Sequence, residues 1–351
     1  MLSCLAIVER MVRAHRHLSA AVVIAAALAT LALPGCSGGG DRLIVYSGRS
    51  EDLINPLLER FAAKTGVDID VKYGDSAELG LLIDEEGDKS PADVFISQSP
   101  GAIGYLDTQD RLERLPDEVL ALVDEANRAG DGKWVGLSGR VRVLVYNTEL
   151  VDKADLPASV LDLTDPAYKG DVAVAPSNGS FIDFVTAMRD RLGDTEAAAW
   201  LDAMAANDSP TFANNTAIIA AVGRGEVPMG LVNHYYNLEA KAEDPDLPTE
   251  NWYFPADQDL GALLIVTAVS KVKGTDKEAD AEKLVEYLLS KQSQQFFAQE
   301  TFEYPLVDGV EPAETVPPLA GLAVTRVDLD ELGGGLKRTQ ELIDDSGITK
   351  G

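Results

Sequence analysis

Met229 to Asn233 is a short apolar run that reads as a strand, and His234, Tyr235 and Tyr236 follow it directly. Two adjacent phenols at a strand end have two uses. They bury their rings and hydrogen-bond their tips, the commoner outcome for such a pair taken alone, or they ligate a cation through oxygen. Few other chemistries compete. The 2 cysteines are Cys4 and Cys36, and of the 3 histidines only His234 lies beyond the first forty residues. A thiolate metal site, a histidine-rich zinc site and a Ser-His-Asp triad are therefore hard to build. Beyond residue 41 no G-x-S-x-G, H-E-x-x-H, G-x-G-x-x-G or G-x-x-x-x-G-K-[ST] pattern occurs, which speaks against a hydrolase or a nucleotide enzyme. A binding module, not an enzyme, is the expectation.

The elements that must position the tyrosines alternate. Arg42 to Ser47 reads as a buried strand, Leu53 to Ala63 as a helix, Val67 to Tyr73 as a strand, Ala77 to Glu86 as a helix and Ala92 to Ser97 as a strand. After Gly136 the pattern resumes, with strands at Arg140 to Tyr146, Val172 to Ala175 and Met229 to Asn233. Helices are expected at 181–192, 196–206, 217–224, 277–290 and 293–300, and a long apolar segment runs over 261–270. This predicts an α/β fold of two domains built on parallel sheets. Ligands of such sheets sit beyond the carboxyl ends of strands. That rule points to Ser47-Gly48-Arg49-Ser50, Ser97-Gln98, Tyr146-Asn147, Ser177-Asn178-Gly179-Ser180 and Asn233-His234-Tyr235-Tyr236. Tyr46, Trp134, Trp200 and Trp252 are expected to pack, and His234 to lie at the surface or behind the site. A last helix, 329–343, is expected on the second domain.

Four stretches carry a family resemblance: Val45-Tyr-Ser-Gly48, Pro91-Ala-Asp-Val-Phe95, Ser138-Gly-Arg-Val-Arg-Val-Leu-Val-Tyr-Asn147, and Asn233 with Tyr235-Tyr236. From about Leu43 to about Leu306 the chain resembles the ferric-ion-binding proteins of bacterial iron importers, within the type II periplasmic-binding-protein fold. The resemblance implies two α/β domains closing about a hinge on a cleft. The expected domains are 42–140 plus 266–316 and 141–265 plus 317–351. It implies Tyr235 and Tyr236 as paired iron ligands and Tyr146 as a third. Fe³⁺ is a hard cation suited to anionic oxygen, and three phenolates would neutralise it. Relatives with a histidine and a glutamate ligand carry them where Ser50 and Gln98 stand here, so that ligand set is excluded. The chain is closer to the subgroup with three tyrosines and a synergistic anion such as carbonate. Arg49, Asn178, Gly179, Ser180, Asn215 and Asn233 are the positions expected to hold the anion; helix starts bind anions, although Asn178 and Asn215 would serve equally as N-caps. Arg140 is a second candidate for a bidentate anion contact, or for an ion pair at the hinge. The same fold also serves receptors for polyamines, thiamine, phosphonates or sulfate, so an organic or oxyanionic cargo is the alternative.

The N-terminal residues read as an export signal. Arg10, Arg13 and Arg16 precede an uncharged apolar run, Leu18 to Leu33, shorter than the roughly 20 apolar residues of a membrane span. Leu33-Pro-Gly-Cys36 then resembles the bacterial lipobox. It implies a signal peptide over 1–35, lipid on Cys36 and a short linker over 36–41. The formal charge is −28; residues 1–35 carry +2, leaving −30 on the rest, which argues against nucleic-acid binding. The expected protein is an exported, lipid-anchored monomer on the outer face of the cytoplasmic membrane or in the periplasm. Its partner would be an ABC-importer permease.

Overall fold

Residues 42–350 are described by the computed structural model; the signal segment and Cys36 lie outside the described residues. The chain begins with β1 (Leu43–Ser47), α1 (Glu51–Thr65), β2 (Ile69–Tyr73), α2 (Ser76–Glu86) and β3 (Val94–Ser97). β1 pairs in parallel with both β2 and β3. The apolar spacing of α1 buries Leu53, Ile54, Leu57, Leu58 and Phe61 on one face, and Gly66 ends the helix in the left-handed region at φ 75°. Next come α3 (Pro100–Thr108), β4 (Leu112–Glu113), α4 (Asp117–Leu120) and the long β5 (Trp134–Asn147). The second half adds β6 (Val172–Ala173), α5 (Gly179–Leu192), α6 (Asp194–Ala206), α7 (Asn215–Gly223), β7 (Met229–Asn233), α8 (His234–Glu243) and β8 (Thr249–Trp252). The chain then returns through β9 (Leu264–Val272), α9 (Glu278–Leu288), α10 (Lys291–Gln299) and β10 (Tyr304–Pro305), and ends on α11 (Leu329–Ser346).

β5 joins the two lobes. All 14 of its residues are buried, as a strand covered on both faces should be. Its first part, Trp134 to Val141, pairs with β9, whose other edge pairs with β3. From Arg142 to Asn147 it pairs instead with β7 and β8. The strand order is β2-β1-β3-β9-β5-β7-β6. The parallel expectation holds only for β2-β1-β3 and β6-β7; β3-β9, β9-β5 and β5-β7 are antiparallel. Periodicity reports a strand's burial but not the direction in which a distant segment returns. The last helix also differs from expectation. Near its start, Asp330 accepts a hydrogen bond from the Gly130 amide of the first lobe (2.9 Å). Farther along, Thr339 is bonded to Thr186 of α5 (2.7 Å). α11 therefore straps both lobes and does not sit on the second alone.

Candidate functional site

Tyr235 and Tyr236 open α8 in the turn that follows β7. Their rings stack, with centroids 4.1 Å apart and planes 28° apart. Adjacent side chains diverge in an extended chain; here the helical turn brings them together. Tyr235 is fully buried and Tyr236 is 8% exposed, on the wall of a cleft of about 910 Å³ that Ser50, Asp52, Glu239 and Phe302 also line. The first lobe meets the pair through Gln98, whose Nε2 donates to the Tyr235 hydroxyl at 2.7 Å and to the Tyr236 hydroxyl at 3.1 Å. Gln98 follows β3 and is anchored by its own amide, which donates to Ser76 Oγ (2.9 Å). Ser76 can lie there because residue 48 is glycine: a Cβ at Gly48 would fall 2.0 Å from Ser76 Oγ. So a glycine in the first polar turn sets the residue that reaches the second lobe's tyrosines.

Burial pushes the Tyr235 phenol well above its ordinary value, and Tyr236 and Glu303 add to this; Arg49 and Arg140 pull the other way. Tyr235 is thus protonated when nothing is bound, and a cation taking its oxygen must expel that proton. Burial likewise raises Glu239, at the cleft mouth, to about 8.

Behind the pair lies a buried frame. Arg49 is ion-paired with Glu303 and also donates to Thr267 Oγ1 (3.0 Å). Ser138 and Thr301 donate to the same carboxylate at 2.8 Å. Burial alone would raise Glu303, but Arg49 holds it below the usual carboxylate range. Arg49 is therefore not available as an anion donor, a correction to the sequence expectation: a partner 254 residues away has taken its guanidinium. The hinge carboxylate pairs with Arg49, while Arg140 donates to Thr267 Oγ1 (2.8 Å). His234 is fully buried rather than at the surface. Its Nδ1 accepts from the Val141 amide (3.2 Å), so Nε2 carries the hydrogen and donates to Phe302 O (2.9 Å). Burial lowers its pKa to about 4, and the neutral ring ties α8 to the point where β5 changes lobes.

The expected anion donors gather in part. Asn178 caps α5, its Oδ1 accepting from the Ser180 amide (3.1 Å) and from Ser180 Oγ (2.6 Å). Gly179 and Ser180 form the first turn of that helix. Asn215 lies one residue inside α7, whose cap is Asn214, and its Nδ2 donates to Asn178 Oδ1 (3.4 Å). Asn233 donates to Ser180 Oγ (3.0 Å). Asn178, Ser180, Asn215 and Asn233 are thus one connected group at the starts of α5, α7 and α8.

Tyr146 does not join the pair, and the expected three-phenol cage is corrected. On β5 it lies opposite Met229, at the start of β7, while Arg142 lies opposite Asn233 at its end. Four strand residues amount to about 14 Å. The Tyr146 hydroxyl donates instead to Glu250 (2.9 Å), and burial and that bond raise it to about 12. The rule about strand ends misled here because β5 runs antiparallel to β7, so their carboxyl ends lie at opposite edges.

Glu303, Arg142 and Asp183 were not singled out from the sequence. Asp183 of α5 crosses to the first lobe, where its Oδ1 accepts from Ser99 Oγ (2.6 Å) and the Gly101 amide (3.1 Å). A Cβ at Gly101 would fall 2.6 Å from that oxygen. Arg140 and Arg142, charged residues two apart in an apolar strand, were a readable signal of a polar buried face; nothing local flags Glu303. Among the described residues, no group of three or more His, Cys, Asp and Glu is placed to hold a metal, and no helix is long and apolar enough to cross a membrane.

A family model described as "Bacterial extracellular solute-binding protein" matches residues 89–332. The chain is 30% identical over 311 residues to the "Major ferric iron-binding protein" of Neisseria meningitidis serogroup A, covering 87% of this chain and 91% of that protein. Among solved structures it is similar to iron-bound HitA from Pseudomonas aeruginosa, with a TM-score of 0.83 and 32% identity over 87% of this chain and 99% of that one. It is also similar to a Trichodesmium protein (IdiA, FutA) in complex with iron and citrate, at a TM-score of 0.72 and 27% identity over 88% and 99% of the two chains.

Proposed function

We propose a function from one premise: the chain belongs to the bacterial extracellular solute-binding protein family, in its ferric-iron-binding periplasmic group. It receives ferric iron outside the cytoplasm and presents it to an ABC-importer permease. The observation that carries the reading is the meeting of two stacked tyrosine hydroxyls with Gln98 of the opposite lobe, at the wall of the cleft. The ferric iron-binding protein of Neisseria meningitidis and the iron-bound HitA structure support the cargo.

The ligands are Tyr235 and Tyr236 as phenolates. Two phenolates leave one positive charge and open coordination positions on Fe³⁺, which a small anion can fill. The starts of α5 and α7, with Asn233, supply donors on that side. Carbonate suits this role, and the citrate bound with iron in the Trichodesmium relative is a larger oxygen-donor example. Gln98 is a neutral amide, so it donates hydrogen bonds to the phenolic oxygens and favours their charged form. The lobes, 42–140 plus 266–316 and 141–265 plus the C-terminal segment, close about β5 near Val141, with α11 bridging them. The closed monomer docks on the permease, and a diacylated Cys36 holds it at the membrane.

Purified protein mixed with ferric salt and bicarbonate should gain a visible phenolate-to-iron charge-transfer colour, and Tyr236→Phe should bleach it. A colourless wild-type protein with no iron by elemental analysis would reject the reading.

A further inference from the structure

Gln98 reaches the tyrosine pair from the short turn between β3 and α3, and the second lobe grips that turn at a point away from the tyrosines. Asp183 of α5, 1% exposed, sends its carboxylate across to the start of α3. Its Oδ1 accepts from Ser99 Oγ at 2.6 Å and from the Gly101 amide at 3.1 Å. Ser99 is the N-cap of α3 and comes directly after Gln98. Inside the turn, Ser97 Oγ donates to Ser99 O (2.6 Å) and accepts from the Ser99 amide (3.1 Å), which fixes Gln98 between them. The lobes approach here more closely than larger residues permit. A Cβ at Gly179, in the first turn of α5, would fall 3.1 Å from Ser99 Cβ and 3.8 Å from the Cβ of Ser76, the residue whose hydroxyl holds the Gln98 amide.

The same stretch of α5 also holds the tyrosines' side. Ser180 Oγ accepts from Asn233 Nδ2 at 3.0 Å, and Asn233 leads into α8 two positions before Tyr235. Ser180 and Asp183 are three residues apart, so they are neighbours on the helix surface. One turn of α5 therefore touches both partners of the interlobe contact: Asp183 the turn that carries Gln98, and Ser180 the residue that leads to the phenols. Burial raises Asp183 to about 6, while Ser99, Arg140, Gly101 and Arg142 pull it down. It is ionised at pH 7.5, and its bonds to the turn are charge-assisted, hence short and directional. Small displacements matter at the far end. The Gln98 bond to Tyr236 is 3.1 Å long, close to the upper end of the ordinary range, so a shift of the turn by about half an ångström breaks it.

We propose that Asp183 is a positioning residue for ferric binding: by holding Ser99 and Gly101 it sets the reach of Gln98 to the Tyr235 and Tyr236 hydroxyls, and so tunes affinity without touching the ion. Its effect on iron rests on the tyrosine site proposed above; its effect on the place of Gln98 does not. The effect is bounded. An action through Gln98 cannot exceed the loss of Gln98 itself, about tenfold in affinity. It also vanishes when Gln98 is absent, which a purely structural role would not.

The test is a double-mutant cycle. Protein stripped of metal is titrated with ferric salt and bicarbonate against a soluble iron chelator, as wild type, Asp183→Ala, Gln98→Ala and the double variant. Asp183→Ala is expected to weaken binding about three- to tenfold when Gln98 is present and less than about twofold when it is alanine. The charge-transfer band should move to longer wavelength in Asp183→Ala as in Gln98→Ala, because each loses a donor that stabilises the phenolates. Should Asp183→Ala fail to fold, Ser99→Ala replaces it in the cycle; it deletes one donor to Asp183, and about threefold is expected. In metal-free crystals of either variant, Gln98 Nε2 should stand beyond hydrogen-bond reach, about 3.5 Å, of at least one of the two hydroxyls. Losses that simply add in the double variant, a band that stays in place, or an unmoved Gln98 would overturn the proposal. A wild-type protein that never colours, with Gln98 displaced in the variant crystals, rejects the iron reading and spares the role of Asp183; normal colour with Gln98 unmoved does the reverse.

Discussion

β7 has a tyrosine environment at each end, and they differ in a way that residue type does not reveal. At its carboxyl end Tyr235 and Tyr236 stack, lose nearly all solvent contact and meet a side chain from the other lobe. At its amino end Tyr146 reaches Glu250 within its own lobe. Both environments raise the phenol, the first chiefly by burial and the second by burial and a carboxylate bond. Only the first gathers two phenol oxygens and an interlobe partner in one place. Convergence across a hinge, rather than tyrosine at a strand end, sets the first apart.

The largest expected effect separates those two ends. Tyr235→Phe or Tyr236→Phe should weaken ferric binding by more than about a hundredfold, since losing a ligand outweighs losing a group behind one. Tyr146→Phe should change it less than about threefold; competition titrations against a soluble iron chelator measure both. A large loss in Tyr146→Phe would break the comparison. Next in size is the frame behind the pair. Glu303→Ala leaves Arg49 buried and unpaired and should cost about 3–5 kcal/mol of stability by urea unfolding.

Acid should sharpen the contrast. His234 has a pKa of about 4 in the fold and about 6.5 unfolded. The unfolded chain therefore binds a proton that the native one refuses. Stability should fall by about 3 kcal/mol as pH drops from 6.5 to 4, and His234→Gln should flatten that dependence. Iron should be lost over the same range for another reason, because protons compete for Tyr235 and Tyr236. Gln98→Ala should cost less than losing either ligand, about tenfold or less in ferric affinity, since the amide positions the phenols and carries no charge.

Much of this was legible in the sequence because it is local. The bounds of β7 and the burial of β1 follow from apolar runs, and the helix faces from their spacing. Helix α8 was missed because His234-Tyr-Tyr-Asn-Leu-Glu239 has no clear apolar stripe; its first turn is buried by the tyrosines themselves. The Arg49–Glu303 pair and the antiparallel return of β9 depend on segments more than a hundred residues away, which no window of sequence contains. The same non-local geometry sent Tyr146 to the wrong edge.

The most direct test is diffraction from iron-loaded crystals at the iron absorption edge. The account predicts one anomalous peak within bonding reach of the Tyr235 and Tyr236 hydroxyls and none beside Tyr146 and Glu250. A peak at Tyr146, or bound iron that avoids both Tyr235 and Tyr236, would contradict it.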